Sequence, residues 1–242
     1  MRLESPSPVV SATLTPYAEP MARPVDSLWI LRRLRGAFGP PPKPSSDALE
    51  TLVLTILSQN TTDVNRDRAY TSLEARFGSF DAVADAATGE IAASISPAGL
   101  QHQKAESIRT VLRRIRSQEG ALDLSFLGRM PADEAFRWLR ASPGVGDKTA
   151  SIVLLFSFGR PFFPVDTHIR RVLTRLGWIR GGASAYRDAA ALVPKDAETL
   201  RDLHLLLIEL GRTICHPKRP ECGACPLRAR CAYGGAPHAL VS

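Results

Sequence analysis

"SPGVGDKTASIVLLFSFGRPFFPVDTH", residues 142–168, sets two glycines, a lysine and an aspartate around an apolar run. Ile152 to Phe158 is far too short to cross a membrane and suits a helix buried in a core. A helical pattern over 132–141 precedes a tight Pro143-Gly144-Val145-Gly146 turn, and a second helix begins near Asp147. That order spells a helix–hairpin–helix. Beyond it, "DTHIRRVLTRLGW" at 166–178 repeats the grammar: Asp166 is placed to cap, Ile169, Val172, Leu173 and Leu176 form one stripe, and Gly177 closes it.

The same 3.6-residue period extends outward in both directions. Leu28, Leu31, Leu34 and Phe38 share a helical face that ends at "GPPPKPSS", 39–46. Further helical segments are expected at 47–58, 64–77, 89–95, 101–117, 132–141, 148–158, 167–177, 185–193 and 196–212. Strand-like alternation is almost absent, and neither heptads nor an internal repeat is found. The fold class is therefore all-α. Residues 1–24, with prolines at 6, 8, 16, 20 and 24 and no apolar period, read as a disordered tail.

The formal charge of +7 favours polyanionic partners, because a field of that sign steers phosphates toward the surface. No run has the length of a membrane span, and the N-terminus lacks a signal-peptide pattern. The expected location is the cytoplasm, nucleoid-associated, with no membrane partner.

"PGVGDKT" resembles a phosphate-binding P-loop only at first glance, since that motif needs glycine directly before the lysine and another five residues earlier. Asp147 and Ser142 occupy those positions. As a hairpin, Gly144 and Gly146 allow positive φ and leave backbone N–H groups open to a DNA phosphate. An ordinary helix–helix turn uses glycine too. Lys148 sits in the first turn of its helix, where the macrodipole disfavours a cation, an environment that favours the neutral amine a nucleophilic lysine needs. A helix over 148–158 is about 16 Å long, and residues 159–165 can span roughly 24 Å, enough to return Asp166 beside Lys148. An exposed lysine and a simple cap role for Asp166 stay open as alternatives.

All four cysteines fall between 215 and 231, as Cys215, Cys222, Cys225 and Cys231 in a C-x6-C-x2-C-x5-C array. A disulfide framework would tie distant segments together, so a local metal or cluster site is the better reading. Spacing does not choose between zinc and a 4Fe-4S cluster. Lys218, Arg219, Arg228 and Arg230 lie in or beside these loops, where fixed backbone presents cations to a phosphate backbone; the alternative is that they only solvate the loop.

Taken together, "LVLTILSQNTTDVN", "GLQHQKAESI", "SPGVGDKTA", "PVDTHIRRVLTRLG" and the four cysteines closely resemble, in order, the endonuclease III family of iron–sulfur helix–hairpin–helix DNA glycosylases, over about residues 28–233. The resemblance implies two helical domains flanking a DNA-binding cleft. These are a six-helix barrel with the hairpin over 47–160 and a 4Fe-4S cluster domain from 25–46 and 161–235, followed by a short tail, 236–242. It implies Lys148 as nucleophile, Asp166 as its carboxylate partner, and the four cysteines as cluster ligands. The implied activity is base-excision removal of oxidised pyrimidines from double-stranded DNA by a monomer. Lys148 attacks the sugar C1′, the base leaves, and β-elimination proceeds from the resulting imine. The implied partner is duplex DNA holding damaged bases or abasic sites.

Three positions depart from the family pattern. Ser142 replaces the usual leucine before the hairpin, a change expected to loosen the turn. Asn60 stands where a gap-filling glutamine is common, with Gln59 beside it as a substitute. Gln101 occupies an often aromatic position, next to Leu100, which matches the intercalating residue. The alternatives are a monofunctional mismatch or adenine glycosylase, whose members generally lack the lysine, and a non-enzymatic DNA-structure binding protein, which would need neither Lys148 nor Asp166.

Overall fold

A computed structural model describes residues 26–42, 47–180 and 185–235; the two tails, 1–24 and 236–242, lie outside these residues. The helices run α1 Ser27–Phe38, α2 Ala48–Leu57, α3 Asp63–Phe77, α4 Phe80–Asp85, α5 Thr88–Ser94 and α6 Gln101–Glu119. They continue with α7 Phe126–Arg129, α8 Ala132–Arg140, α9 Asp147–Phe158, α10 Thr167–Leu176, α11 Ala185–Leu192, α12 Ala197–Thr213 and α13 Ala232–Gly235. Short 3-10 turns occupy Ser96–Ala98 and Arg228–Arg230, and no strand occurs among the described residues. The all-α expectation holds, and none of the described helices is long and apolar enough to cross a membrane.

Helix starts are set by local side chains. The carboxylates of Asp26, Asp47, Asp166 and Asp196, and the hydroxyls of Thr62 and Ser79, each accept a hydrogen bond from a backbone N–H of the first turn they open. Each such cap is worth about 1 kcal/mol.

Two apolar cores result. One gathers Leu52, Val53 and Ile56 of α2, Ile108 and Leu112 of α6, and Val153 and Leu154 of α9. The other gathers Ile30 and Leu34 of α1, Ile169 and Leu173 of α10, and Leu203 and Leu207 of α12. Helix α9 belongs to both, because Leu155 and Phe156 face the second core while Val153 and Leu154 face the first. Cutting one of these leucines to alanine would cost about 2–5 kcal/mol.

The return from α9 to α10 is pinned on both sides. Phe162 stacks on Phe136 of α8 at 4.8 Å and 9°, while Phe163 is fully buried in the second core. Arg160 donates to the carbonyls of Gly128 and Met130 across the loop. Residues 159–165 thus bridge the two cores and fix where Asp166 emerges.

Candidate active site

A cavity of about 850 Å³ opens between α2, α3, α9, α10, α11 and α12, within the roughly 300–1,000 Å³ usual for small-ligand sites. Lys148 and Asp166 both line it, as do Gln59 and Asn60. The return loop therefore sets on one cavity wall a lysine and an aspartate that lie 18 positions apart in sequence. Lys148 is half-buried in the first turn of α9, whose N-cap Gly146 offers no side-chain oxygen to the helix. Asp166 Oδ1 accepts from the Ile169 N–H at 2.7 Å. Its cap role is observed, and its other carboxylate oxygen has no part in that bond.

Two residues of this cavity have no place in the reading from sequence. His204 of α12 is 3 % exposed, lies edge-on to Phe156 and Phe163, and holds its Nδ1 3.0 Å from the Pro164 carbonyl oxygen. A carbonyl only accepts, so Nδ1 carries the proton and Nε2 is an acceptor. Burial pulls this imidazole down to about 4; the Asp166 carboxylate opposes that shift and the Lys148 ammonium adds to it. His204 is thus neutral near pH 7 and within electrostatic reach of both candidate reactive groups. Tyr186 of α11 accepts from the Ser151 hydroxyl at 2.9 Å and stacks on Phe136, and burial pushes its phenol up. His204 lies on the buried face of α12, and no local sequence signal shows that this face also lines a cavity. Across the mouth, Arg212 of α12 pairs with Asp63 of α3 at 2.7 Å.

The hairpin differs from its expected form in two respects. Of its two glycines only Gly144 has positive φ, at 76°; Gly146 is extended, at φ −89° and ψ −176°, a conformation open to any residue. Gly146 therefore contributes an unobstructed face, with nothing within 4 Å of an added Cβ, rather than a left-handed turn. Ser142 does not loosen the turn. It is 3 % exposed, its hydroxyl accepts from Arg114 Nη1 at 2.7 Å, and its carbonyl accepts from the Val145 N–H. Arg114 also donates to the Trp138 carbonyl and lies 4.1 Å above that indole ring. A polar strut replaces the apolar contact. Arg140 and Asp147, 2.7 Å apart, pair across the two helix ends.

Gln59 also joins the cavity wall to the hairpin, since its Nε2 donates to the Gly144 carbonyl at 2.8 Å. The remaining candidate contacts do not line the cavity. Leu100 is 52 % exposed at the start of α6, with Gln101 half-buried behind it. Lys218 and Arg219 are exposed on the cysteine-rich loop.

All four cysteines are half-buried, none forms a disulfide, and all line one small pocket together with Arg175, Arg228 and Tyr233. Arg175 Nη1 lies 3.2 Å from Cys215 Sγ, and the Gly234 N–H lies 3.4 Å from Cys231 Sγ. Such donors suit thiolates that carry charge. Burial, with a smaller push from the neighbouring thiols, raises the Cys225 thiol. Among the described residues no group of three or more His, Cys, Asp or Glu side chains is arranged to hold a metal ion.

The HhH-GPD superfamily base excision DNA repair protein family matches residues 53–195. Endonuclease III of Sulfolobus acidocaldarius is 37% identical over 76% of this chain and 81% of its own. The structure of a non-covalent Endonuclease III–DNA complex is similar at a TM-score of 0.71 and 26% identity, covering 86% of this chain and 94% of that one. A trapped Endonuclease III–DNA covalent intermediate has the same TM-score and identity, with 87% and 98% covered.

Proposed function

The chain belongs to the HhH-GPD superfamily of base excision DNA repair proteins and is a DNA glycosylase of the endonuclease III type, and from that premise we propose that it is bifunctional, removing oxidised pyrimidines from duplex DNA and cleaving the abasic strand. The observation that carries this reading is the placement of Lys148 and Asp166 on one cavity. Flipping a damaged base costs least where the lesion already weakens stacking or pairing. Lys148 attacks C1′ of the extruded nucleotide and the base departs, while the Asp166 carboxylate stabilises the positive charge that develops on the sugar. The resulting imine acidifies the neighbouring carbon, and loss of that proton breaks the strand on the 3′ side. Neutral His204, which feels both residues, keeps a positive charge from facing Lys148.

The DNA is held from outside the cavity. The Gly144 and Gly146 N–H groups of the turn receive a phosphate, Gln59 or Asn60 fills the gap left by the base, Leu100 wedges the stack beside Gln101, and Lys218 and Arg219 neutralise phosphates. Cys215, Cys222, Cys225 and Cys231 would hold a 4Fe-4S cluster: they are not arranged around a single metal ion, but the four thiols line one pocket with N–H donors nearby. Bound there, the cluster would cross-link the loop that carries Lys218 and Arg219. The two apolar cores support a barrel domain over 47–160 and a cluster domain from 25–46 and 161–235, the protein acting as a monomer.

Borohydride reduction tests the chemistry. The protein is expected to form a covalent adduct with an abasic or thymine-glycol duplex, and Lys148→Ala to form none. Asp166→Asn preserves the cap, since Asn caps as well as Asp, yet is expected to slow base removal by about 100-fold or more. Base release without an adduct would make the protein monofunctional, and an undiminished adduct with Lys148→Ala would overturn the lysine mechanism.

A further inference from the structure

Lys104, in the second turn of α6, is 2 % exposed and is among the largest fully buried side chains of the described chain. Burying a lysine is costly unless its donors are satisfied. Its Nζ donates at 2.8 Å to the carbonyl of Leu57 and at 2.8 Å to the carbonyl of Ala98. Leu57 is the last residue of α2, and Ala98 is the last residue of the 3-10 turn. Both are terminal carbonyls of the kind a helix cannot satisfy internally, and a cation is favoured at that end. One ammonium therefore caps two elements that are 41 residues apart in sequence.

The backbone just beyond each capped carbonyl is unusual. Asn60 at φ 52° and Leu100 at φ 49° are the only non-glycine residues with positive φ among the described residues. One stands three positions after Leu57, the other two after Ala98. Left-handed backbone costs about 1–2 kcal/mol for such residues, and strain of this kind persists only where the surroundings over-determine it. The exposed Leu100 side chain does not repay it by burial.

We propose that Lys104 is a positioning residue for DNA: by holding the Leu57 and Ala98 carbonyls on one ammonium, it sets the spacing between the Asn60 and Leu100 tips, so that both enter the duplex together around the extruded nucleotide. This rests on the reading of those loops as duplex-inserting. Lys104 touches neither base nor sugar, so its loss affects extrusion and leaves the sugar chemistry intact.

The test separates those steps on two DNAs: a thymine-glycol duplex, where a base must be extruded, and an abasic single strand trapped by borohydride, where none is. Lys104→Met keeps an unbranched side chain, one atom shorter, and removes the donors. It is expected to lower the single-turnover rate on the duplex by about 100-fold, the size of loss that a misplacement near 1 Å produces, and to leave single-strand trapping within about threefold of the unaltered protein. Leu100→Ala serves as the control and is expected to show the same split. Equal losses on both DNAs, or no loss on the duplex, would overturn the proposal. Should Lys104→Met fail to fold, Lys104→Arg carries the same split, because a forked guanidinium spreads the two carbonyls; an Arg variant unimpaired on the duplex would likewise overturn it. If the unaltered protein traps neither DNA, the fault lies with the lysine mechanism. If Leu100→Ala shows no split, the loops are not duplex-inserting and the proposal falls with that reading.

Discussion

Gly144→Ala probes the hairpin most directly. The residue lies at φ 76°, and a Cβ added there would stand 2.3 Å from Ser107 Oγ and 2.7 Å from Ser107 Cβ. The left-handed conformation costs alanine about 1 kcal/mol. The collision adds about 1–3 kcal/mol, because Ser107 Cβ is fixed to α6 and rotation of the hydroxyl removes only part of the overlap. The cheapest relief moves the turn away from α6 and off Gln59, whose side chain donates to the Gly144 carbonyl. The amides proposed to meet a phosphate move with it. Fluorescence anisotropy on a duplex with a reduced abasic site should show binding weakened by about tenfold to hundredfold, at roughly 1.4 kcal/mol per decade. Ser107→Gly removes the obstacle at a cost of about 1 kcal/mol in helix stability. The double variant should then bind better than Gly144→Ala alone. Unchanged binding by Gly144→Ala would refute the phosphate role of the turn, and a double variant no better than the single would refute the collision as the cause.

Two further predictions concern buried charge. Because burial lowers the His204 imidazole from 6.5 to about 4 in the folded protein, its contribution is complete above pH 6.5 and is lost as pH falls through about 4. His204→Asn, which keeps an N–H for the Pro164 carbonyl, should remove about 3 kcal/mol of acid destabilisation across that window in denaturant titrations; an unchanged acid slope would show that another group carries it. Arg175 donates to Cys215 Sγ and to the carbonyls of His216 and Pro217. Arg175→Met should therefore speed chelator-driven loss of the proposed cluster's visible absorbance by about tenfold, at about 1–2 kcal/mol for charge-assisted bonds, and loss at the unaltered rate would argue that the loop needs no such tether.

The sequence is most legible where the deciding interaction is local. Asp166 reads as a cap because its partner, the Ile169 N–H, is three residues away, and the stripe through Leu176 lies within one helix. Helices α4, α7 and α13, of 6, 4 and 4 residues, escape such reading because none is long enough to display a period. The convergence of Lys148 and Asp166 is legible only as a permitted span, since Phe162 and Phe163 fix the return by contacts with other elements. Ser142 misleads for a related reason: its partner, Arg114, is 28 residues away. Which hairpin glycine turns left-handed is equally invisible. Lys104 gives no signal at all, because its partners are carbonyls, which every residue possesses.

Lys104, Ser107 and Arg114 share more than helix α6. At spacings of three and seven residues they fall on one face, since three and seven are close to one and two turns. Lys104 references the tips after Leu57 and Ala98, Ser107 abuts Gly144, and Arg114 holds Ser142 at the entry to the turn. Every loop proposed to meet DNA from the first core is thus measured against one helix. Lys148 and Asp166 are not: they are carried by α9 and by the loop pinned between the cores. Registry between the two sets passes through the apolar contact of α2 with α9, where Leu52, Val53 and Ile56 share a core with Val153 and Leu154. Interiors packed this closely resist small displacements. The apolar run between the glycine turn and Asp166 is therefore the element that would convert the proposed wedge in the duplex into a fixed distance from that wedge to Lys148. Perturbing α6 should uncouple extrusion from chemistry, whereas perturbing α9 should damage both.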